Sequence, residues 1–118
     1  ERGYAPLKLG EARKAIRDYR KATGNVQGTA ELLLTYVETG TCFTHAYGDM
    51  EASFYISLES VLKDLAVLLR REGPHLYSLF RDRLAKLEEM AGNIGWGYGD
   101  YVAEIVDKLR DEFEDREA

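Results

Sequence analysis

Four carboxylates in this sequence have a spacing that suits acid–base or metal chemistry. Glu38 and Glu59 are predicted on neighbouring helices, Asp49 lies between those helices, and Asp100 precedes the last predicted helix. If they converged inside a bundle, they would hold a divalent cation or raise the pKa of one carboxyl group. A dimetal bundle normally carries Glu-x-x-His pairs, however, and this sequence has none. We therefore favour an interpretation in which Glu38 and Glu59 are solvated or hydrogen-bonded to tyrosines and Asp49 caps a helix. This interpretation predicts no metal, no cofactor and no catalytic residue. The alternative is a carboxylate cluster that binds a metal or acts as an acid or base.

Cys42 and His45 lie one turn apart on the second predicted helix and form the other arrangement that could be reactive. A Cys–His nucleophile also needs a third group that orients the histidine, and usually a sharp strand-to-helix turn. The sequence predicts neither. A single cysteine excludes an internal disulfide, and His45 and His75 alone do not provide zinc-ligand spacing. We interpret Cys42 and His45 as ordinary helix residues.

A glycine-rich segment, Gly95-Trp96-Gly97-Tyr98-Gly99, superficially resembles a phosphate-binding loop. It follows a predicted helix instead of a strand and lacks the Gly-Lys-Ser/Thr ending, so phosphate binding is disfavoured. Two interpretations remain: Trp96 anchors a tight turn in the core, or Trp96 and Tyr98 form an exposed binding hot spot. We favour the core interpretation, with Asp100 capping the following helix.

A basic stripe marks the first predicted helix, where Arg13, Arg17 and Arg20 recur at i, i+4 and i+7. Residues 1–23 carry seven basic and three acidic side chains, a net charge of +4, whereas the remainder carries nine and eighteen, a net charge of −9. The stripe could contact nucleic-acid phosphates or an acidic protein. Because the acidic remainder would repel a polyanion, we disfavour nucleic acid and expect a solvated face partly paired with acidic neighbours.

Helices must position these residues, because apolar side chains recur every three or four residues and no stretch alternates as a strand does. We predict helices from about Lys8 to Thr23, from after the N-cap Thr29 to Gly48, from Asp49 onwards, from Pro74 to near Gly92, and from Asp100 onwards. The third helix carries the strongest apolar stripe and is expected at the centre of the core. The predicted inward residues include Phe54, Leu58, Val61, Leu62, Leu65, Leu68 and Leu69 on the third helix, Leu76, Leu79, Phe80, Leu84, Leu87 and Met90 on the fourth, and Tyr101, Val102, Ile105, Val106, Leu109 and Phe113 on the fifth. Short connections favour antiparallel neighbours, so the fold class is an all-α bundle or short array of about five antiparallel helices.

The composition fits one helical domain over residues 1–118, with 45% apolar and 31% charged residues. No apolar run approaches the ~20 residues of a membrane helix, and no signal peptide opens the chain. We therefore expect a cytoplasmic protein with no membrane partner. Residues 1–7 and 114–118 are expected to fray, and the absence of an initial methionine predicts that a native N-terminal segment is missing.

A resemblance to a known family rests on several short runs: Leu34–Gly40, Phe43-Thr44, Tyr47–Asp49, Phe54-Tyr55, Ser57–Ser60 and Ile94–Tyr98. Together they resemble an uncharacterised bacterial family, the domain-of-unknown-function family six-one-five-five. The resemblance covers nearly the whole chain and implies a small helical domain of bacterial or phage-like origin, a longer N-terminus and no established activity. This chain departs from the family at His45, at Ala52-Ser53, at Ile56 and at Gly99, where the family has asparagine, an acidic-proline pair, asparagine and histidine.

The residues that match the family imply a candidate binding surface, called the consensus surface below. It comprises Glu38, Thr44, Asp49, Tyr55, Ser57, Glu59, Trp96 and Asp100. Since no nucleophile, metal or phosphate constellation is complete, the sequence favours a non-enzymatic helical module that binds a protein partner or a second copy of itself. The alternatives are a metal-binding or acid–base domain and, less favoured, a nucleic-acid contact through the basic first helix.

Overall fold

The computed structural model describes residues 9–47, 52–93 and 98–114 of the chain. This part contains five helices: α1 (Leu9–Thr23), α2 (Val26–Tyr47), α3 (Ala52–Glu72), α4 (Pro74–Ala91) and α5 (Tyr98–Phe113). The described residues contain no strand, so the predicted all-α fold class is confirmed. None of the helices in this part combines the length and apolar character needed to span a membrane.

The centre of the bundle is α3, which packs against each of the other four helices. Its inner face holds Leu58, Val61, Leu62, Leu65 and Leu69, each at most 1% exposed. Burying five such side chains removes a large apolar area from water, which is the dominant driving force for folding. The prediction that the third helix forms the centre of the core is confirmed.

A tight turn joins α1 to α2, and α2 begins at Val26, earlier than the predicted start after Thr29. Gly24 adopts a left-handed φ of 68°, and its amide donates to the carbonyl of Arg20 at 2.8 Å, which ends α1 as predicted. Asn25 then caps α2, because its Oδ1 accepts the amide hydrogen of Gly28 at 2.9 Å. Thr29 is therefore not the N-cap: it lies in the first turn of α2, 3% exposed, and its hydroxyl donates to the carbonyl of Asn25.

The junction between α4 and α5 is close-packed at Gly99. A Cβ atom at this position would lie 2.5 Å from the carbonyl oxygen of Ala91, so only glycine allows the two helix ends to approach this closely. The predicted cap at Asp100 is wrong, because α5 already begins at Tyr98. Asp100 instead lies exposed in the first turn of α5, where its negative charge interacts favourably with the positive end of the helix dipole.

The inner faces of α4 and α5 differ from the prediction at two large side chains. Leu79 is 53% exposed and Tyr101 is 48% exposed, so neither belongs to the core. Tyr77 takes the position expected of Leu79: it is 4% exposed and its ring stacks on Phe113, with centroids 4.7 Å apart. Leu76, Phe80, Leu84 and Leu87 are buried as predicted, and Tyr77 lies on the flank of their stripe that packs against α5. Met90 is only partly buried.

Some predicted features lie outside the described residues. These are the cap at Asp49, the turn around Trp96, the N-terminal residues 1–7 and residues 115–118. Of the tail expected to fray, only Glu114 is described. Its carboxylate accepts a 2.5 Å hydrogen bond from the hydroxyl of Tyr77, which ties the end of α5 to the start of α4.

Candidate functional site

An open cleft between α1, α2 and α3 carries the predicted basic stripe on its rim. It encloses about 260 Å³, and we call it the arginine groove. It is lined by Arg13, Ile16, Arg17, Arg20, Thr29, Leu33, Asp64, Val67 and Leu68. The three arginines of the stripe therefore share one cleft instead of covering a flat solvated face.

The three arginines differ in how they are paired. Arg13 donates to the carboxylate of Asp64 at 2.6 Å and to the hydroxyl of Ser60 at 3.4 Å, so it joins α1 to α3. Arg17 and Arg20 form no ion pair or hydrogen bond with the residues that the structure describes. The predicted pairing of the stripe with acidic neighbours is confirmed at Arg13. With respect to residues 9–47, 52–93 and 98–114, the guanidinium groups of Arg17 and Arg20 remain open to anionic groups of another molecule.

Apolar side chains form the floor of the arginine groove. Ile16, Leu33 and Leu68 are each no more than 9% exposed and close its base. Val67 lines the same cleft but is 56% exposed. An apolar floor beside cationic side chains is the composition that suits a partner with both carboxylates and an apolar anchor.

Glu38 of the consensus surface belongs to a different network, centred on Arg83 of α4. The guanidinium of Arg83 donates to both carboxylate oxygens of Glu38, at 3.0 and 2.7 Å, and to Glu31 at 2.7 Å. The hydroxyl of Thr35 accepts a further bond from Arg83 at 3.3 Å. These carboxylates raise the pKa of Arg83 above its ordinary value, so the guanidinium stays charged. This geometry makes Glu38 part of a clamp between α2 and α4.

Glu59 and Asp100 do not join Glu38 in a carboxylate cluster. Glu59 pairs with Lys63 on its own helix at 3.1 Å, and Asp100 is exposed at the start of α5. Across the described residues, no three His, Cys, Asp or Glu side chains come together in a way that could hold a metal ion. Asp49 is outside these residues.

Two members of the consensus surface are core residues, which corrects their assignment to a surface. Thr44 is 1% exposed and its hydroxyl donates to the carbonyl of Gly40 at 3.0 Å. Tyr55 is 9% exposed and lies edge-on to the ring of Phe54. Both are buried because α2 and α3 approach closely at Gly40, where a Cβ atom would lie 2.5 Å from Leu58. Of the other members, Ser57 is partly buried and Trp96 is outside the described residues.

Cys42 is exposed, and its sulfur lies 3.6 Å from the sulfur of Met90. His45 lies on α2, one turn further along. The described contact of Cys42 is with Met90, whose thioether is neither a base nor an orienting group for a cysteine nucleophile.

A second cleft, of about 330 Å³, lies where α5 ends beside the start of α4. It is lined by Pro74, Tyr77, Ser78, Arg81, Phe113 and Glu114. Burial and the hydrogen bond to Glu114 raise the pKa of Tyr77 far above its ordinary value, so the phenol remains protonated. The hydrogen bond between Tyr77 and Glu114 on the wall of this cleft fastens two helix ends together.

The groove residues of α3 were not predicted from the sequence. Asp64 and Val67 were not singled out because each has an ordinary exposed position on an apolar helix. The one available signal was an apolar residue outside the predicted stripe: Val67 does not belong to the stripe of Leu65, Leu68 and Leu69.

Comparison of the chain with protein-family models, with curated proteins and with solved structures found no match. The resemblance to the family described above stays a prediction.

Proposed function

We propose that this chain is a non-enzymatic helical module that binds a protein surface through the arginine groove. The observation that carries the proposal is the combination of an apolar cleft with two arginines on its rim, Arg17 and Arg20, that pair with no residue in the described part of the chain. Apolar contact supplies binding free energy, and the paired charges supply orientation and selectivity.

A protein partner fits this cleft better than a nucleic acid does. The groove exposes apolar surface at Val67 and is short, whereas phosphate backbones are bound along broad basic surfaces. The chain as a whole carries a net charge of −5, so a long polyanion would be repelled outside the groove.

The carboxylate chemistry that forms the alternative gains no support from the positions of Glu38 and Glu59. Glu38 is held by Arg83 of α4, and Glu59 is paired with Lys63 on its own helix, α3. A metal ion or an acid–base reaction at Glu38 would first have to displace the guanidinium of Arg83. We keep a binding module as the proposed function.

Photo-crosslinking tests this proposal at the rim of the groove. Val67 is replaced by a photoreactive phenylalanine analogue, and the captured proteins are identified and purified. Their affinity is then measured for the unchanged chain, for Arg17→Glu/Arg20→Glu, and for the control Arg81→Glu/Lys86→Glu, which makes the same charge change on α4. We expect the groove variant to weaken binding about tenfold or more, because two attractions become repulsions.

Equal affinities for the unchanged chain and the groove variant would refute a binding role for the groove. A parallel titration with labelled DNA and RNA covers the nucleic-acid alternative. Tighter binding to nucleic acid than to any captured protein, with steep salt dependence and loss in the groove variant, would overturn the protein-binding proposal.

The proposal also includes a cytoplasmic location and membership of the uncharacterised bacterial family. An exposed free thiol at Cys42 supports a reducing compartment. Cell fractionation with an antibody against the chain tests the location: recovery in a secreted or membrane fraction would contradict it.

A further inference from the structure

We infer that the arginine groove receives α5 of a second copy of this chain, whose exposed acidic side chains pair with Arg17 and Arg20. The acidic stripe of α5 is defined here as Asp100, Glu104 and Asp107, all exposed. The inference rests on the proposed function, because it names the protein surface that the groove binds.

The two stripes match in spacing. Arg13, Arg17 and Arg20 recur at i, i+4 and i+7, and the acidic stripe of α5 recurs at the same intervals. In an α-helix seven residues span about 10 Å, so two helices packed side by side place their charges opposite one another along the same length.

The two helices also match in charge. The α1 helix carries five basic and two acidic side chains, a net charge of +3, whereas α5 carries five acidic and two basic ones, a net charge of −3. Two of the three acidic side chains are not held closely within their own chain: Asp100 has no ion pair among the described residues, and Glu104 lies 3.9 Å from Lys108. Asp107 pairs with Arg110, which is shared with Glu88. Complementary fields of this kind favour encounter in one orientation.

An exposed aromatic side chain accompanies the acidic stripe. Tyr101 is 48% exposed and lies one turn before Glu104, on the same side of α5. On the other surface, Val67 is 56% exposed beside a cleft of about 260 Å³. A tyrosine ring that enters this cleft buries apolar area on both molecules, and aromatic residues are typical anchors at the centres of interfaces.

A chain does not fill its own groove, since no described residue of α5 lines it. The groove is bordered by α1, α2 and α3, whereas α5 packs against α3 and α4. Every copy therefore offers one groove and one acidic stripe. Two copies related by a twofold axis would use both pairs of surfaces and close into a dimer.

A charge exchange tests the inference on the full 118-residue chain. The molar mass is measured by sedimentation and light scattering up to about 1 mM chain, at about 50 mM and about 500 mM salt. We expect the mass to rise from 13.4 kDa toward twice that value at low salt, and the rise to be weaker at high salt. Arg17→Glu/Arg20→Glu and Glu104→Arg/Asp107→Arg should each weaken self-association about tenfold or more.

Mixing the two reversed variants is the decisive measurement. Each contact between them again joins opposite charges, so a mixed complex should form with an affinity within about threefold of the unchanged chain. Arg81→Glu/Lys86→Glu is the control and should self-associate like the unchanged chain. Circular dichroism confirms that every variant is folded before its mass is interpreted.

A chain that stays monomeric at the highest concentration and low salt would overturn the inference. So would self-association that neither reversal weakens, or reversed variants that do not associate with each other. These failures are distinct from failure of the proposed function, which would still hold if a captured protein lost affinity for Arg17→Glu/Arg20→Glu. Both proposals fail together if the groove variant changes neither self-association nor the binding of any captured protein.

Discussion

The substitution Gly99→Ala tests the close approach of α5 to the backbone of α4. A Cβ atom at this buried position would lie 2.5 Å from the carbonyl oxygen of Ala91, which is 0.5 Å inside the 3.0 Å limit below which such contacts essentially do not occur. The oxygen belongs to the backbone of α4 and has no rotamer to change, so the start of α5 must move away. Overpacking of this kind costs about 1–3 kcal/mol, and the better helix propensity of alanine returns up to about 1 kcal/mol. We expect a net loss of about 1–2 kcal/mol.

Thermal unfolding followed by circular dichroism measures this loss. For a chain of this length the entropy of unfolding makes 1 kcal/mol equivalent to about 4 °C, so Gly99→Ala should lower the Tm by about 4–8 °C. The matched control is Gly92→Ala, because Gly92 already has a helical φ of −60° and its Cβ would lie 3.4 Å from the nearest atom, the carbonyl oxygen of Glu89. The control should leave the Tm unchanged or slightly higher. Equal Tm values for the two variants would refute the close-approach argument.

Two further predictions concern the clamp between α2 and α4 and a buried hydroxyl. Arg83→Met removes the partner of Glu38 and Glu31, so the free energy of unfolding in urea at low salt should fall by about 1–2 kcal/mol, and by less at high salt. An unchanged free energy of unfolding at low salt would contradict this prediction. Tyr36→Phe removes a buried hydroxyl that bonds to no described residue, and should raise stability by about 1 kcal/mol at pH 7. Burial raises the pKa of Tyr36 from 10.0 to about 12, so above pH 10 the phenol ionises more readily in the unfolded chain, and the unchanged protein loses stability. The variant Tyr36→Phe has no such proton, so the difference in unfolding free energy between the variant and the unchanged protein should widen above pH 10. A difference in urea unfolding that stays constant with pH would argue against the burial effect.

The apolar periodicity of α3 was sufficient to predict its place in the core. Leu58, Leu62, Leu65 and Leu69 recur at helical intervals, and every one of them is buried. Periodicity is a local property of the sequence, so no knowledge of the neighbouring helices was needed. On α4 the prediction was wrong for Leu79, which lies further from the centre of the stripe of Leu76, Phe80, Leu84 and Leu87 than Tyr77 does; Tyr77 is buried and stacks on Phe113 of α5.

Helix starts were harder to predict because several residues near a boundary can act as caps. Asn25 and Thr29 are both good N-cap types four residues apart, and the structure selects Asn25 because Gly24 has just turned the chain. Asp100 was also interpreted as a cap, although α5 begins two residues before it.

The basic stripe was evident in the sequence, but the cleft beneath it was not. Arg17 and Arg20 border a cleft only because α3 brings Val67 and Leu68 beside them, almost fifty residues further along the chain. The pairing of Glu38 with Arg83 is equally remote in sequence, whereas the sequence favoured a solvated or tyrosine-bonded glutamate at this position. Such pairings depend on the packing angles of helices, which local patterns do not determine.

The small number of buried side chains on α1 lowers the local stability of this helix. This helix packs mainly on α2 and α3, and Ile16 is the one buried side chain among its described positions. Elements with few buried contacts open at a lower free energy than the whole domain, so the backbone amides of α1 should exchange hydrogen with solvent before those of α3. Opening α1 would dismantle the arginine groove and uncover Leu33 and Leu68. A partner bound across α1 and α3 would therefore stabilise α1 and slow the hydrogen exchange of its backbone amides.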